Sequence, residues 1–319
     1  MKPSIDQLPE FYVAKLPQLG MISLSGEEQE KYLQGQVTCD VNQLPESKLL
    51  HGSHCDAKGK LFSCFRLIEK QGKLLLIQTK ASIEASLKEL NKFGVFAKVD
   101  IEEEQSHSIA LVGGELAQSK LTEILGAVPD ALSPVIEIEE LSVIYIAGSV
   151  QRYLVVAPEN SLDSVIEKLS AEVVNPEIWN LLEITQGFPQ VSQESSQTYV
   201  PQMLNMQAIA GISFTKGCYL GQETVARMQY LGKNKKAMFA LVSDSNVTAV
   251  DEDLIIEKQL GENWRKAGDV ISSYLSDEGQ LYLQAVLASD TESTASFKLK
   301  SNGSELSIYE LPYHIQNEE

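Results

Sequence analysis

The sequence has 319 residues, of which 43% are apolar and 22% charged, and a formal charge of −18 at neutral pH. That length suits two or three domains with cores of their own, and no stretch approaches the roughly 20 apolar residues that cross a bilayer. The acidic balance disfavours a stable grip on nucleic acid, which needs a basic face to displace counterions. The N-terminus "MKPSIDQLPEFYVAKL" carries no apolar export segment with a small-residue cleavage site, so a cytoplasmic protein is expected.

In chain order, "LGMISLSGEEQEKYLQGQVTCDV" predicts a strand and then a short helix, with Ser25 and Glu28 as a capping box and an end near Gly35. "KLFSCFRLIEK" and "KLLLIQTK" read as strands joined at Gly72, and "SIEASLKELNKF" places Ile83, Leu87 and Leu90 at helical spacing. "HSIALVGG", "LSVIYIAG" and "RYLVVAP" are β-rich, whereas "SLDSVIEKL" and "PEIWNLLEITQG" read as helices, the second with Pro176 at its start and Gly187 past its end. Beyond about Lys236, six short strands predict a small C-terminal β-barrel: "KAMFALVSD", "DLIIEK", "AGDVISSYLS", "QLYLQAVLAS", "SFKLKS" and "LSIYELPY".

Four cysteines, Cys39, Cys55, Cys64 and Cys218, match neither a C-x-x-C pair nor a disulfide framework, and reduced thiols are expected. Cys218 stands between Gly217 and Gly221, behind Lys216 and ahead of the helical run "GQETVARMQY". Unusual glycine angles, a helix start and a lysine together favour thiolate. A small hydrophobe buried at a tight junction is the competing reading, and spacing leaves both open. The four histidines, His51, His54, His107 and His314, stand in no companion motif for a cysteine hydrolase. In "HGSHC" an extended backbone puts residues 51 and 55 on one side and 54 on the other, so no metal site is expected. Trp179 is offset from the Ile178, Leu181 and Leu182 face, which suits either a platform for a flat ligand or packing. Arg227, Lys233, Lys235 and Lys236 form a basic patch whose simplest reading is a solvated turn between domains.

Together, "KYLQGQVTCDV" (31–41), "HCDAKGKLFSCFRL" (54–67), "YVPQMLNMQAIAGISFTKGCYLGQETVARMQYLGKNKKA" (199–237) and "LPYHI" (311–315) resemble the bacterial YgfZ proteins, folate-binding, tRNA-modifying factors. The signature of that family is carried by Lys216, Gly217, Cys218, Tyr219, Gly221, Gln222 and Glu223. The resemblance implies an α+β fold similar to the glycine-cleavage T-protein, with two interlocked α+β domains and a C-terminal β-barrel around a central folate-site opening. The expected division is a discontinuous domain of 1–48 with 140–235, an inserted domain of 49–139 and a barrel of 236–319.

The resemblance also implies a reduced folate such as tetrahydrofolate as ligand. Its implied partners are iron-sulfur enzymes, those that thiolate tRNA among them, with no stable nucleic-acid binding, no membrane and a monomeric chain. The family's folate-contacting tryptophan corresponds to Trp179. A second falls at Leu19, which has no indole, and one lost aromatic wall costs about 1 kcal/mol or more of ligand binding. The alternative, aminomethyl transfer to tetrahydrofolate, is disfavoured because the acidic pair of the T-protein corresponds to Ser63 and Cys64 here, and neither supplies a carboxylate to carry a proton.

Overall fold

The computed structural model describes residues 1–230, 232, 234–248, 250 and 254–315. Strands β1 (Tyr12–Lys15) and β2 (Leu19–Ser25) lead to α1 (Gln29–Gln34) and the single turn α2 (Leu44–Ser47). The expected capping box does not form. Ser25 is still in β2, paired with Asp100, and Gly26 turns the chain at φ +120°. The helix therefore begins only at Gln29, and the Glu28 carboxylate accepts the backbone N–H of Lys98 instead. The end at Gly35 is as expected.

A three-stranded antiparallel meander follows, β3 (Leu50–Cys55), β4 (Leu61–Lys70) and β5 (Lys73–Thr79). Its Gln71-Gly72 turn has both residues at positive φ, the geometry that matches strand twist in a two-residue loop. Helix α3 (Lys80–Gly94) then buries Ile83 and Leu90. Next come β6 (Asp100–Glu103), β7 (Ser108–Gly113), α4 (Ala117–Leu125), β8 (Val135–Ile138), β9 (Leu141–Ile146), β10 (Arg152–Ala157), α5 (Glu159–Leu169) and β11 (Glu172–Val173). Strand β6 and helix α4 escape sequence patterning, because "DIEE" is almost wholly acidic and α4 has a narrow apolar stripe in which only Ala117 and Leu121 are buried.

The strands make three sheets. The first has the order β11-β1-β7-β10-β9-β8 and the second β3-β4-β5-β2-β6. Sheet membership cuts across the expected boundaries. β2 pairs with β5 and β6, and β1 pairs with β7, so the chain leaves the first sheet after Lys15 and returns to it at Ser108. Helices α4 and α5 cover the outer face of the first sheet through Leu121, Leu162 and Val165. Helices α1 and α3 cover the outer face of the second through Leu33, Ile83 and Leu90.

Between the inner faces runs α6 (Ile178–Gln186), in which every side chain except Asn180 is buried. Such a helix has no solvent face and belongs inside a large core. Leu154 of the first sheet, Ile77 of the second and Tyr274 and Tyr282 of the third join Trp179 and Leu182 in that core.

After α7 (Gln222–Tyr230), the C-terminal strands are β12 (Lys236–Ser243), β13 (Ile256–Leu260), β14 (Asn263–Lys266), β15 (Asp269–Leu275), β16 (Leu281–Ala288), β17 (Phe297–Leu299) and β18 (Glu305–Tyr309). They form one antiparallel sheet of order β14-β13-β17-β18-β12-β16-β15, one strand more than expected. The extra strand is β14, a short polar edge that hairpins onto β13.

Candidate functional site

The segments singled out in the sequence converge around the loop that carries Cys218. Thr38 Oγ1 donates to the carbonyl of Gly211 at 2.6 Å, Ser213 N–H to Thr38 O, and Leu220 N–H to Gly35 O. The Lys216 ammonium is buried and donates to three carbonyls, those of Gln34 at 2.7 Å, Val37 at 2.9 Å and Cys39 at 2.6 Å. Burial pulls its pKa down to about 8, opposed by the neighbouring Cys39 and Asp40. Lys216 therefore works differently from the sequence reading. Its charge turns inward to fasten the 34–39 loop, and the thiol it faces is Cys39.

The two glycines also differ. At Gly217 φ is not positive and an added Cβ would meet nothing among the described residues within 4 Å, so it needs no special backbone. Gly221 adopts φ +84°, and a Cβ there would lie 2.6 Å from the carbonyl of Asp56 and 2.9 Å from Cα of Gly59. Gly59, at φ +73°, in turn lies against Thr224. This close backbone approach locks the 56–60 turn onto the first turn of α7. Helix α7 starts at Gln222, four residues past the thiol.

Cys218 itself is exposed, which removes the buried-hydrophobe reading, while Cys39, Cys55 and Cys64 are buried. Burial pushes the thiols of Cys39 and Cys64 up to about 12. Tyr219 is buried, with its ring 5.1 Å from Lys216 Nζ, and Glu223 is exposed.

Trp179 stands in the core, and no face of its indole is open. The guanidinium carbons of Arg66 and Arg152 lie 5.3 and 5.1 Å from its ring centroid. Of the two readings of Trp179 its position fits packing, because α6 is enclosed by all three sheets. Below it, Glu183 accepts both Arg66 Nη1 at 2.8 Å and Nη2 at 3.0 Å, and Arg152 Nη2 at 2.9 Å. Phe188 stacks under Arg66 at 3.7 Å, and Gln190 donates to Glu183 at 3.2 Å. His51 Nδ1 donates to Ile209 O and packs edge-on against Phe188. Burial and then the Arg66 charge drag its pKa down to about 4.

Leu19 is buried in the same core as Trp179. Ser63 is buried opposite His54 on the α3 side, whereas Cys64 joins Cys55 and Phe188 in another cluster. Tyr313, from the "LPYHI" segment, donates to the carbonyl of Gly187 at 2.8 Å and so closes the C-terminal end of α6.

The family described as "YgfZ, beta-barrel domain" matches residues 234–302. The "tRNA-modifying protein YgfZ" of Colwellia psychrerythraea is 57% identical over 289 residues, covering 90% of this chain and 89% of that one. The protein of the same name from Yersinia enterocolitica is 38% identical over 92% of this chain and 90% of its own. The chain belongs to the YgfZ family. Its fold is that of the glycine cleavage system aminomethyltransferase T from Bartonella henselae, with a TM-score of 0.72 over 96% of this chain and 87% of that one, at 12% identity. The T-protein-like α+β architecture with a C-terminal barrel thus stands as expected.

Within this YgfZ chain, sequence reasoning missed Arg66, Glu183 and Arg152. Their signal was a charge inside an apolar run, as in "FSCFRLI" and "WNLLEIT", which in a buried element demands a partner. Of the basic patch, Arg227, Lys235 and Lys236 are exposed, and Lys233 lies outside the described residues. Among the described residues no group of three His, Cys, Asp or Glu side chains could hold a metal, and no helix is long and apolar enough to cross a membrane.

Proposed function

We propose that this protein acts in tRNA modification as a non-catalytic or weakly catalytic factor. It binds a reduced folate and sustains the iron-sulfur enzymes that thiolate tRNA, and Cys218 is its working thiol. The observation that carries the reading is the placing of the one exposed cysteine on a loop fastened by Lys216 and Gly221. An accessible thiol is a soft nucleophile and a soft metal ligand, the chemistry that an iron-sulfur client calls for. The name shared by the relatives supports the tRNA part of the reading. With a charge of −18, the protein works through partner enzymes rather than by gripping tRNA.

The folate part rests on the family resemblance and the T-protein-like fold. The residues around Trp179 do not fit a pterin stacked on the indole, because both guanidiniums cover it and Glu183 is fully engaged. Trp179 therefore offers a folate no free stacking face. Aminomethyl transfer is the weaker reading. The buried Cys64 thiol stays protonated at neutral pH, and Ser63 offers only a hydroxyl.

The test is complementation of cells that lack the endogenous protein, read as thiolated tRNA. Cys218→Ser is expected to fold normally and fail, while Cys39→Ser and Cys64→Ser retain more function. Full rescue by folded Cys218→Ser would remove the thiol chemistry. Titration with tetrahydrofolate derivatives tests the folate part separately, and absence of saturable binding would sink that part alone.

A further inference from the structure

The centre around Trp179 holds two guanidiniums, Arg66 and Arg152, and one carboxylate, Glu183, all buried. Two positive charges and one negative leave a surplus of +1. The other titratable groups facing Arg152 and Arg66 do not offset it, because burial keeps the Tyr12 hydroxyl protonated, its pKa raised to about 12, and keeps His51 neutral at physiological pH. An uncompensated charge in a dry core is costly.

The same place collects hydrogen-bond donors that have no acceptor among the described residues: Arg152 Nε and Nη1, Trp179 Nε1, Arg66 Nε and the Tyr12 hydroxyl. The sheet brings them together. Gly113 pairs with Tyr12 on one side and Arg152 on the other, and a Cβ at Gly113 would stand 2.5–2.7 Å from the end of the Tyr12 ring. The missing side chain lets the phenol lie across β7 towards Arg152.

We propose that Arg152, Tyr12 and Trp179 form a buried site for one small monovalent anion, a halide or a carboxylate, seated between the first sheet and α6. The Arg66, Arg152 and Trp179 nitrogens there can only donate and the Tyr12 hydroxyl can donate as well, so beside two guanidiniums the place suits an anion and not a cation. Water would satisfy the donors but leave the surplus charge, whereas a single negative charge cancels it. A dianion such as sulfate would overshoot to a net −1. The proposal stands on charge and donors and does not rest on the folate reading, so the folate titration and the test below fail independently.

The test is thermal unfolding of the full chain at constant ionic strength, with sodium chloride, bromide or formate replacing bulky sodium gluconate. A saturating rise in Tm of about 2–4 °C is expected. Tyr12→Phe, which keeps the ring packing, should shift the midpoint to higher anion concentration, and Arg152→Gln should abolish the response. A response to halides alone or to formate alone assigns the class. Crystals grown in bromide should show an anomalous peak within about 3.5 Å of Arg152 and Trp179 nitrogens. Identical salt curves for the parent and Tyr12→Phe, together with only water at that position, would overturn the proposal. Tyr12→Phe decides the matter even where Arg152→Gln does not fold.

Discussion

Two regions hold the residues that stand out in this sequence, and they differ in how charge is treated. Around α6, Arg66, Arg152 and Glu183 are sealed from water and each depends on the others. Around Cys218, one buried ammonium fastens the loop from beneath and the thiol is left in solvent. A buried charge that loses its partner keeps its desolvation penalty, while an exposed side chain exchanges one set of water contacts for another. The α6 region should therefore govern stability and the Cys218 loop activity.

Glu183→Gln should break the comparison hardest, since it strands two guanidiniums in the core. A loss of about 3–5 kcal/mol by urea denaturation is expected, and a loss below about 1 kcal/mol would show that the centre is not held by charge. The next effect separates the two signature glycines. Gly221→Ala forces a Cβ into the 56–60 turn at positive φ and should cost about 1–3 kcal/mol, whereas Gly217→Ala should stay within about 0.5 kcal/mol. Equal effects would deny the close approach its role.

Acid should weaken the core before the loop. Burial lowers the folded-state pKa of His51 to about 4 and of His54 to about 3, while unfolded imidazoles titrate near 6.5. Above pH 6.5 both states are neutral and nothing changes. As pH falls through 6.5 the unfolded chain binds protons that the folded chain refuses, so stability drops until about pH 4 for His51 and pH 3 for His54. About 1–2 kcal/mol per ring should be lost between pH 7 and pH 5, and His51→Gln or His54→Gln should flatten the profile of the urea midpoint. The smallest effect on stability belongs to Cys218→Ser, within about 0.5 kcal/mol. Thiol titration should find Cys218 reactive in the native protein and Cys39, Cys55 and Cys64 reactive only in denaturant. Native labelling of Cys39 or Cys64 at a comparable rate would blur the two regions.

Much of the fold was legible because it is local. The Gln71-Gly72 turn, the helix end at Gly35 and the apolar spacing of Ile83 and Leu90 each depend on residues a few positions apart. The signature around Cys218 was likewise readable as a motif, but the inward turn of Lys216 was not, since its three acceptors lie about 180 residues away in sequence. Trp179 stayed undecided between platform and packing for a related reason. Helical spacing says which residues share a face, yet α6 has no solvent face to contrast with.

The sequence by itself therefore determined the strand and helix periods, the C-terminal barrel, the acidic surface charge and the family motif. Tertiary structure alone decided that Arg66 and Glu183, 117 residues apart, share one buried ion pair and that Cys218 is the thiol left in water. Backbone propensity acts over one or two turns of chain, whereas a buried charge finds its partner only after sheets and helices have been brought face to face.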